Sequence, residues 1–277
     1  MIQATVKING IDLWYQAANV GQKDILPLVL IHGWTASRMR VISTFKYFQE
    51  KGLPVFVLDL RGHGWSQKEN INEYTIDAAA KDVERFIKDI VHKEHGFSQI
   101  ILAGHSMGGV IVQQVAFSIP QRIKLLILLS TAASMFPGFL RKIGAKIYIK
   151  MFERNYDKTF NKKKKAHLHW GVEKYPMWAT EGIFAERDLF PDPKATIEFL
   201  QDLLDVDHRE NLNHIEQPTL IIVGENDSTV PPKLSKQLHT LIPKSELHII
   251  PDCGHNYAIE KPDAFDSLIL DFMRKHK

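Results

Sequence analysis

Six short apolar runs, unbroken or nearly so, recur along this chain and constrain its fold more than any other feature. They are Leu28–Ile31, Val55–Leu58, Ile100–Ala103, Leu125–Leu129, Leu220–Val223 and Leu247–Ile250. Runs of this kind suit strands covered on both faces, as in a parallel sheet. Between them lie helical patterns at about 40–50, 77–95, 107–118, 233–241 and 262–275. Ahead of them, residues 2–8 and 11–17 alternate around Asn9-Gly10, a dipeptide that accepts positive φ and closes a two-residue hairpin. A hairpin followed by alternating strands and helices implies an α/β fold, with a mostly parallel sheet of about eight strands flanked by helices. Such a sheet binds ligands at the carboxyl ends of its strands, so the loops after each run are where chemistry is expected.

The rhythm breaks between Thr131 and about Asp205, where no strand pattern appears and aromatic residues such as Phe136, Tyr148, Trp170, Trp178 and Phe190 collect. This reads as a helical lid, 131–205, inserted into a core made of 1–130 and 206–277. The rest of the composition is that of an ordinary globular chain: 277 residues, 44% hydrophobic, 24% charged, net charge +3. That balance gives no footprint for a nucleic-acid partner. No apolar stretch approaches the roughly 20 residues of a membrane span, and no secretory leader is visible. The single cysteine, Cys253, fits a reducing compartment, so a cytoplasmic chain is expected.

The run at 100–103 leads into Gly104-His105-Ser106-Met107-Gly108-Gly109 and then a helical pattern. This is G-x-S-x-G between strand and helix, where small residues let a tight turn lift the serine hydroxyl above the sheet. A phosphate-binding loop would need lysine and a hydroxyl residue after Gly109, where Val110 and Ile111 stand. A serine hydroxyl is a poor nucleophile unless a base takes its proton and an acid orients that base. Asp227 follows the run at 220–223 and His255 follows the run at 247–250, which gives the order Ser106, Asp227, His255. Glu225 and Asp252 stand near enough in sequence to compete with Asp227 for the acid role. Of the other histidines, His32, His63 and His105 read as structural. His167 and His169 lack further ligands for a metal.

With these residues in view, the chain resembles the α/β-hydrolase superfamily, serine carboxylesterases and monoacylglycerol lipases in particular. His32-Gly33-Trp34 is similar to the family's oxyanion loop, and Asp59-Leu60-Arg61-Gly62-His63-Gly64-Trp65-Ser66 to its turn after the next strand. Gly224-Glu225-Asn226-Asp227 and Gly254-His255 are similar to its acid and base loops. The resemblance implies a serine hydrolase that forms an acyl-enzyme on Ser106, with His255 as base and Asp227 as its orienting acid. The oxyanion would be held by the backbone amides of Trp34 and Met107, with no metal or cofactor. It implies a small-molecule ester substrate with an apolar acyl chain, such as a short- to medium-chain ester or a monoacylglycerol. Carbon–carbon bond hydrolases, lactonases and cofactor-free perhydrolases share the same triad, and a non-catalytic ligand receptor is the alternative of a different class. Epoxide hydrolases and haloalkane dehalogenases carry aspartate where Ser106 stands.

Charge is unevenly spread. From Thr131 to Tyr175 there are eleven Lys/Arg against three acids, a net +8. Lys142, Lys146, Lys150 and Arg154 recur every four residues beside an apolar row of Ile143, Ile147 and Met151. One reading is a basic flank that contacts anionic lipid. The other, preferred because Gly138 and Gly144 weaken a long interfacial helix, buries that apolar row on the sheet edge.

Overall fold

The computed structural model describes residues 1–138, 142–147, 149–151, 153–154 and 191–276. Its eight strands are β1 (Ile2–Ile8), β2 (Ile11–Ala18), β3 (Leu28–Ile31), β4 (Val55–Leu58), β5 (Ile100–His105), β6 (Ile123–Leu129), β7 (Thr219–Gly224) and β8 (Ser245–Ile250). They form one sheet in the order β1-β2-β4-β3-β5-β6-β7-β8. β1 pairs with β2 and β2 with β4 antiparallel, and every later pairing is parallel. Asn9 (φ 48°) and Gly10 (φ 84°) close the β1–β2 hairpin with positive φ at both positions, the pair of conformations a type I′ turn requires.

The apolar runs are unbroken because both faces of the sheet are covered. Along β3, Val29 and Ile31 enter one core while Leu28 and Leu30 enter the other; Phe56 and Leu58 separate from Val55 and Val57 in the same way along β4. The first core is roofed by α2 (Ile76–Phe86) and α3 (Met107–Ser118), through residues such as Val83, Phe86, Ile111 and Val115. The second is roofed by α1 (Ile42–Glu50) and the C-terminal helix, here α7 (Pro262–Lys275), through Phe45, Phe48, Phe265 and Ile269. α4 (Pro193–Leu203), α5 (Pro232–Leu241) and the short α6 (Tyr257–Glu260) complete the described helices that matter to the site. α4 starts on Asp192, whose side chain accepts from the Ala195 amide at 3.1 Å, and its Phe199 and Leu203 join the first core.

The centre of the 131–205 segment, including Lys162 to Lys165, His167, His169 and Trp170, lies outside the described residues. The described residues between 142 and 154 are helical and correct the preferred reading of the apolar row. Ala145 and Ile149 are the buried pair, packed on Leu200 of α4 and on Leu204 just beyond it, whereas Ile143, Ile147 and Met151 are 39%, 56% and 59% exposed. The two rows are offset by two residues, about 200° around a helix, so only one of them can face α4. Alanine in the buried row allows the closer approach, and Lys142 pairs with Asp205 at 3.0 Å alongside it. Among the described residues no helix is long and apolar enough to cross a membrane.

Candidate active site

β5 delivers Ser106 to the carboxyl edge of the sheet, and α3 begins at the next residue. Ser106 sits at φ 54°, ψ −119°, a left-handed φ that a side-chain-bearing residue rarely adopts. Surrounding bonds hold it there. Its amide donates to the Leu129 carbonyl at 2.9 Å, while its own carbonyl accepts from the Gly109 amide at 2.9 Å and the Thr131 hydroxyl at 2.7 Å. The turn also needs bare α-carbons. A Cβ on Gly104 would lie 2.3 Å from the Gly108 carbonyl oxygen, and one on Gly108 would lie 2.4 Å from the His32 carbonyl oxygen.

The structure brings the three expected side chains together. Asp227, after β7, is buried; its Oδ1 accepts from the amides of Thr229 (3.0 Å) and Val230 (2.8 Å). Its Oδ2 lies 2.8 Å from Nδ1 of His255, and Nε2 of His255 lies 3.1 Å from Oγ of Ser106. An ionised carboxylate only accepts, so Nδ1 carries the proton and Nε2 presents its lone pair to the serine hydroxyl. Neither Glu225 nor Asp252, the other acids near Asp227 and His255 in sequence, is buried. Met107 is the first residue of α3 and fully buried, at the end of the helix where backbone amides lack intrahelical acceptors. The loop carrying Trp34 lies against the turn, since a Cβ on Gly33 would stand 3.1 Å from that of Ser106. The Trp34 indole donates to the Thr196 carbonyl of α4 at 2.8 Å, a tie the sequence did not signal.

The neighbouring histidines are structural donors and acceptors. His32 accepts the Leu60 amide on Nε2 at 3.0 Å and donates from Nδ1 to the Gly33 carbonyl at 2.9 Å; burial pushes its pKa down to about 4. Burial likewise pushes His63 down to about 3. His105 is held well below the ordinary histidine range by burial and by the nearby His255, and its Nε2 donates to the His255 carbonyl at 3.0 Å. Cys253 is buried with its thiol pushed up to about 12 by desolvation, which leaves it without nucleophilic character at neutral pH. The loop after β4 is braced by two buried ion pairs. Asp59 takes the Arg38 guanidinium at 2.6 Å, and that guanidinium sits in the corner formed by the perpendicular indoles of Trp14 and Trp65, 4.0 and 3.8 Å from their centroids. Arg61 grips Asp82 through two bonds of 2.7 and 2.9 Å. Arg61 thus ties the loop to α2. The roles of Arg38 and Glu260, which binds the loop around His255, were not legible. Among the described residues no group of three or more His, Cys, Asp or Glu is placed to hold a metal ion.

Residues 27–262 match the family described as the alpha/beta hydrolase fold. The chain belongs to the α/β hydrolase family. An AB hydrolase superfamily protein of Bacillus subtilis, YisY, is 30% identical over 254 residues, covering 89% of this chain and 91% of that protein. A pimeloyl-[acyl-carrier protein] methyl ester esterase of Nitrosospira multiformis is 28% identical over 89% of this chain and 94% of its own. The solved structure of a thermophilic esterase from Thermogutta terrifontis superimposes with a TM-score of 0.80 at 23% identity, over 100% of this chain and 99% of that one, a likeness of fold. Membership makes this α/β hydrolase a hydrolytic enzyme at the level of the superfamily.

Proposed function

We propose that this chain is a serine hydrolase of carboxylic esters, acting through an acyl-enzyme on Ser106. The observation that carries the reading is the continuous path from Ser106 Oγ through the His255 imidazole to the Asp227 carboxylate, at 3.1 and 2.8 Å. His255 takes the hydroxyl proton as Ser106 Oγ attacks the carbonyl carbon. Asp227 holds the tautomer and stabilises the imidazolium. The backbone amides of Trp34 and Met107 donate hydrogen bonds to the developing oxyanion; one such donor is worth about 2.7–4 kcal/mol of barrier. His255 then passes the proton to the leaving alcohol, and water, deprotonated by the same imidazole, cleaves the acyl group from the serine.

The substrate is a small ester with an apolar acyl chain, short to medium in length or a monoacylglycerol, admitted beneath a lid formed by residues 131–205 over a core of 1–130 and 206–277. Relatives named as methyl ester esterases support the ester class. A cytoplasmic setting accords with the single, buried thiol. The exposed row Ile143, Ile147 and Met151, flanked by Lys146 and Lys150, supports contact with anionic lipid at the pocket mouth.

A panel of p-nitrophenyl esters from acetate to palmitate, with a monoacylglycerol and a lactone added, tests the substrate class, and fluorophosphonate labelling of Ser106 tests the mechanism. No labelling would favour a ligand-binding role, and turnover of the lactone alone would move the chain to the lactonase reading. Anionic vesicles that fail to sediment the protein even in low salt would remove the lipid contact from the reading.

A further inference from the structure

The loop that carries His255 is held by a carboxylate outside the triad. Glu260, at the end of α6, turns back along the chain. Its Oε2 accepts from the Gly254 amide at 2.5 Å and its Oε1 from the Asn256 amide at 3.0 Å. These are the two amides on either side of His255. The carboxylate lies against the bare α-carbon of Gly254, where a Cβ would stand 2.9 and 3.0 Å from its two oxygens. The His255 carbonyl is held by His105 Nε2 at 3.0 Å, and Arg40 donates to the Asn256 side-chain oxygen at 2.7 Å.

A simpler role for Glu260 would be to cap α6. Reaching back to the amide of Asn256, the residue before that helix, serves such a cap. The second bond does not, because Gly254 lies two residues further upstream, outside the helix. Hydrogen bonds from amides to an ionised acceptor are roughly twice as strong as neutral ones. Two of them straddling one residue fix the direction of its Cα–Cβ bond. What remains to His255 are its side-chain torsions, and Asp227 and Ser106 occupy both ring nitrogens.

We propose that Glu260 is a positioning residue for His255, and that its two-pronged grip on residues 254 and 256 sets the reach of the imidazole to Ser106. The inference rests on the acyl-enzyme reading above. Glu260 touches neither substrate nor the reacting atoms, so its removal acts on the chemical steps and leaves substrate binding alone. In Glu260→Ala, kcat for p-nitrophenyl butyrate falls about 10- to 100-fold, the scale expected for a displaced catalytic group, while KM stays within about threefold. The burst and the steady-state phases slow together, because His255 serves both acylation and deacylation. Glu260→Gln retains one acceptor oxygen and loses less.

Wild-type protein that neither turns over the ester nor takes a fluorophosphonate on Ser106 would sink the underlying reading. Active, labelled wild type with a Glu260→Ala kcat within about twofold would overturn the positioning role alone, as would a rise in KM carrying the whole effect. Should Glu260→Ala fail to fold, Glu260→Gln decides. A kcat within about twofold overturns the proposal, and so does a second failure to fold, since the carboxylate would then serve the fold and not the base.

Discussion

The nucleophile turn and the base loop face each other across 3.1 Å, yet they are held in place by a different balance of means. The turn around Ser106 is fixed by what is missing from it. Bare α-carbons at Gly104 and Gly108 let backbone pack on backbone closely enough to keep a serine at φ 54°. The loop around His255 also packs on one bare α-carbon, that of Gly224, but the residues flanking the imidazole are held by what is added, through side chains from Glu260, His105 and Arg40. A geometry built on absent side chains cannot yield without moving backbone. One built on added side chains can be weakened one bond at a time.

The comparison breaks most completely at the residue both devices serve. Ser106→Ala should abolish ester turnover, by on the order of 10⁴-fold or more, with the melting temperature nearly unchanged, as rate assays and thermal melts on the same sample will show. Adding a single methyl group to each loop then separates the two devices. In Gly108→Ala the new Cβ meets the backbone oxygens of His32 and Ile31 at 2.4 and 2.5 Å, whereas in Gly254→Ala the nearest atoms are those of the Glu260 carboxylate, the end of a rotatable side chain. Gly108→Ala should therefore cost about 3 kcal/mol in chemical denaturation and Gly254→Ala about 1 kcal/mol. Equal costs would mean that the two loops do not differ in the way described.

A smaller effect lies behind the base loop, where Tyr257 stacks on Phe265 and Thr44 donates to the buried Asp266 at 2.7 Å. Burial pushes Asp266 up to about 7. The folded protein then keeps this proton while the unfolded chain loses it near the ordinary value of about 3.9, so stability is lost as pH rises from about 4 through 7. Asp266→Asn removes that loss. It should raise the melting temperature by a few degrees at pH 8 and by much less at pH 4–5. A gain of equal size at both values would assign the effect to packing. The smallest effect expected is at Cys253, where iodoacetamide at pH 8 should leave activity untouched; inactivation would show that the base loop opens far more readily than its hydrogen bonds imply.

The same contrast explains what could be read from the sequence. A requirement for missing side chains is written as glycine at a fixed spacing around one serine, so Gly104, Ser106 and Gly108 were legible. So were the six runs that became β3 to β8, because covering both faces forces apolar residues at consecutive positions. Asp227 could be placed after a strand but not separated from Glu225 and Asp252; burial separates them, and burial belongs to the assembled sheet. Glu260, Arg38 and the Trp34 indole could not be read at all. Arg38 and the Trp34 indole act through a buried partner or distant backbone, and Glu260, although its contacts are local, is an acid five residues after a histidine with no pattern to mark it. The apolar row at 143, 147 and 151 misled for a related reason. Periodicity identifies a helix face, but only α4, through Leu200 and Leu204, decides which face is covered.

The division of each central strand between two cores also governs how the chain can change in length. Along β5, Ile100 and Leu102 belong to one core and Ile101 and Ala103 to the other. Removing one residue from this strand would send every side chain on one side of the cut to the opposite face of the sheet. It would also turn Ser106 by half a strand period, away from the histidine it faces. Insertions and deletions are therefore confined to the connections at the strand ends. Beyond the one register shift between β5 and β6, where Ile100 pairs with Ile123 and Ile101 with Leu125, these two strands can be altered letter by letter but not lengthened or shortened, and their reading frame in space is as strict as the one in the message.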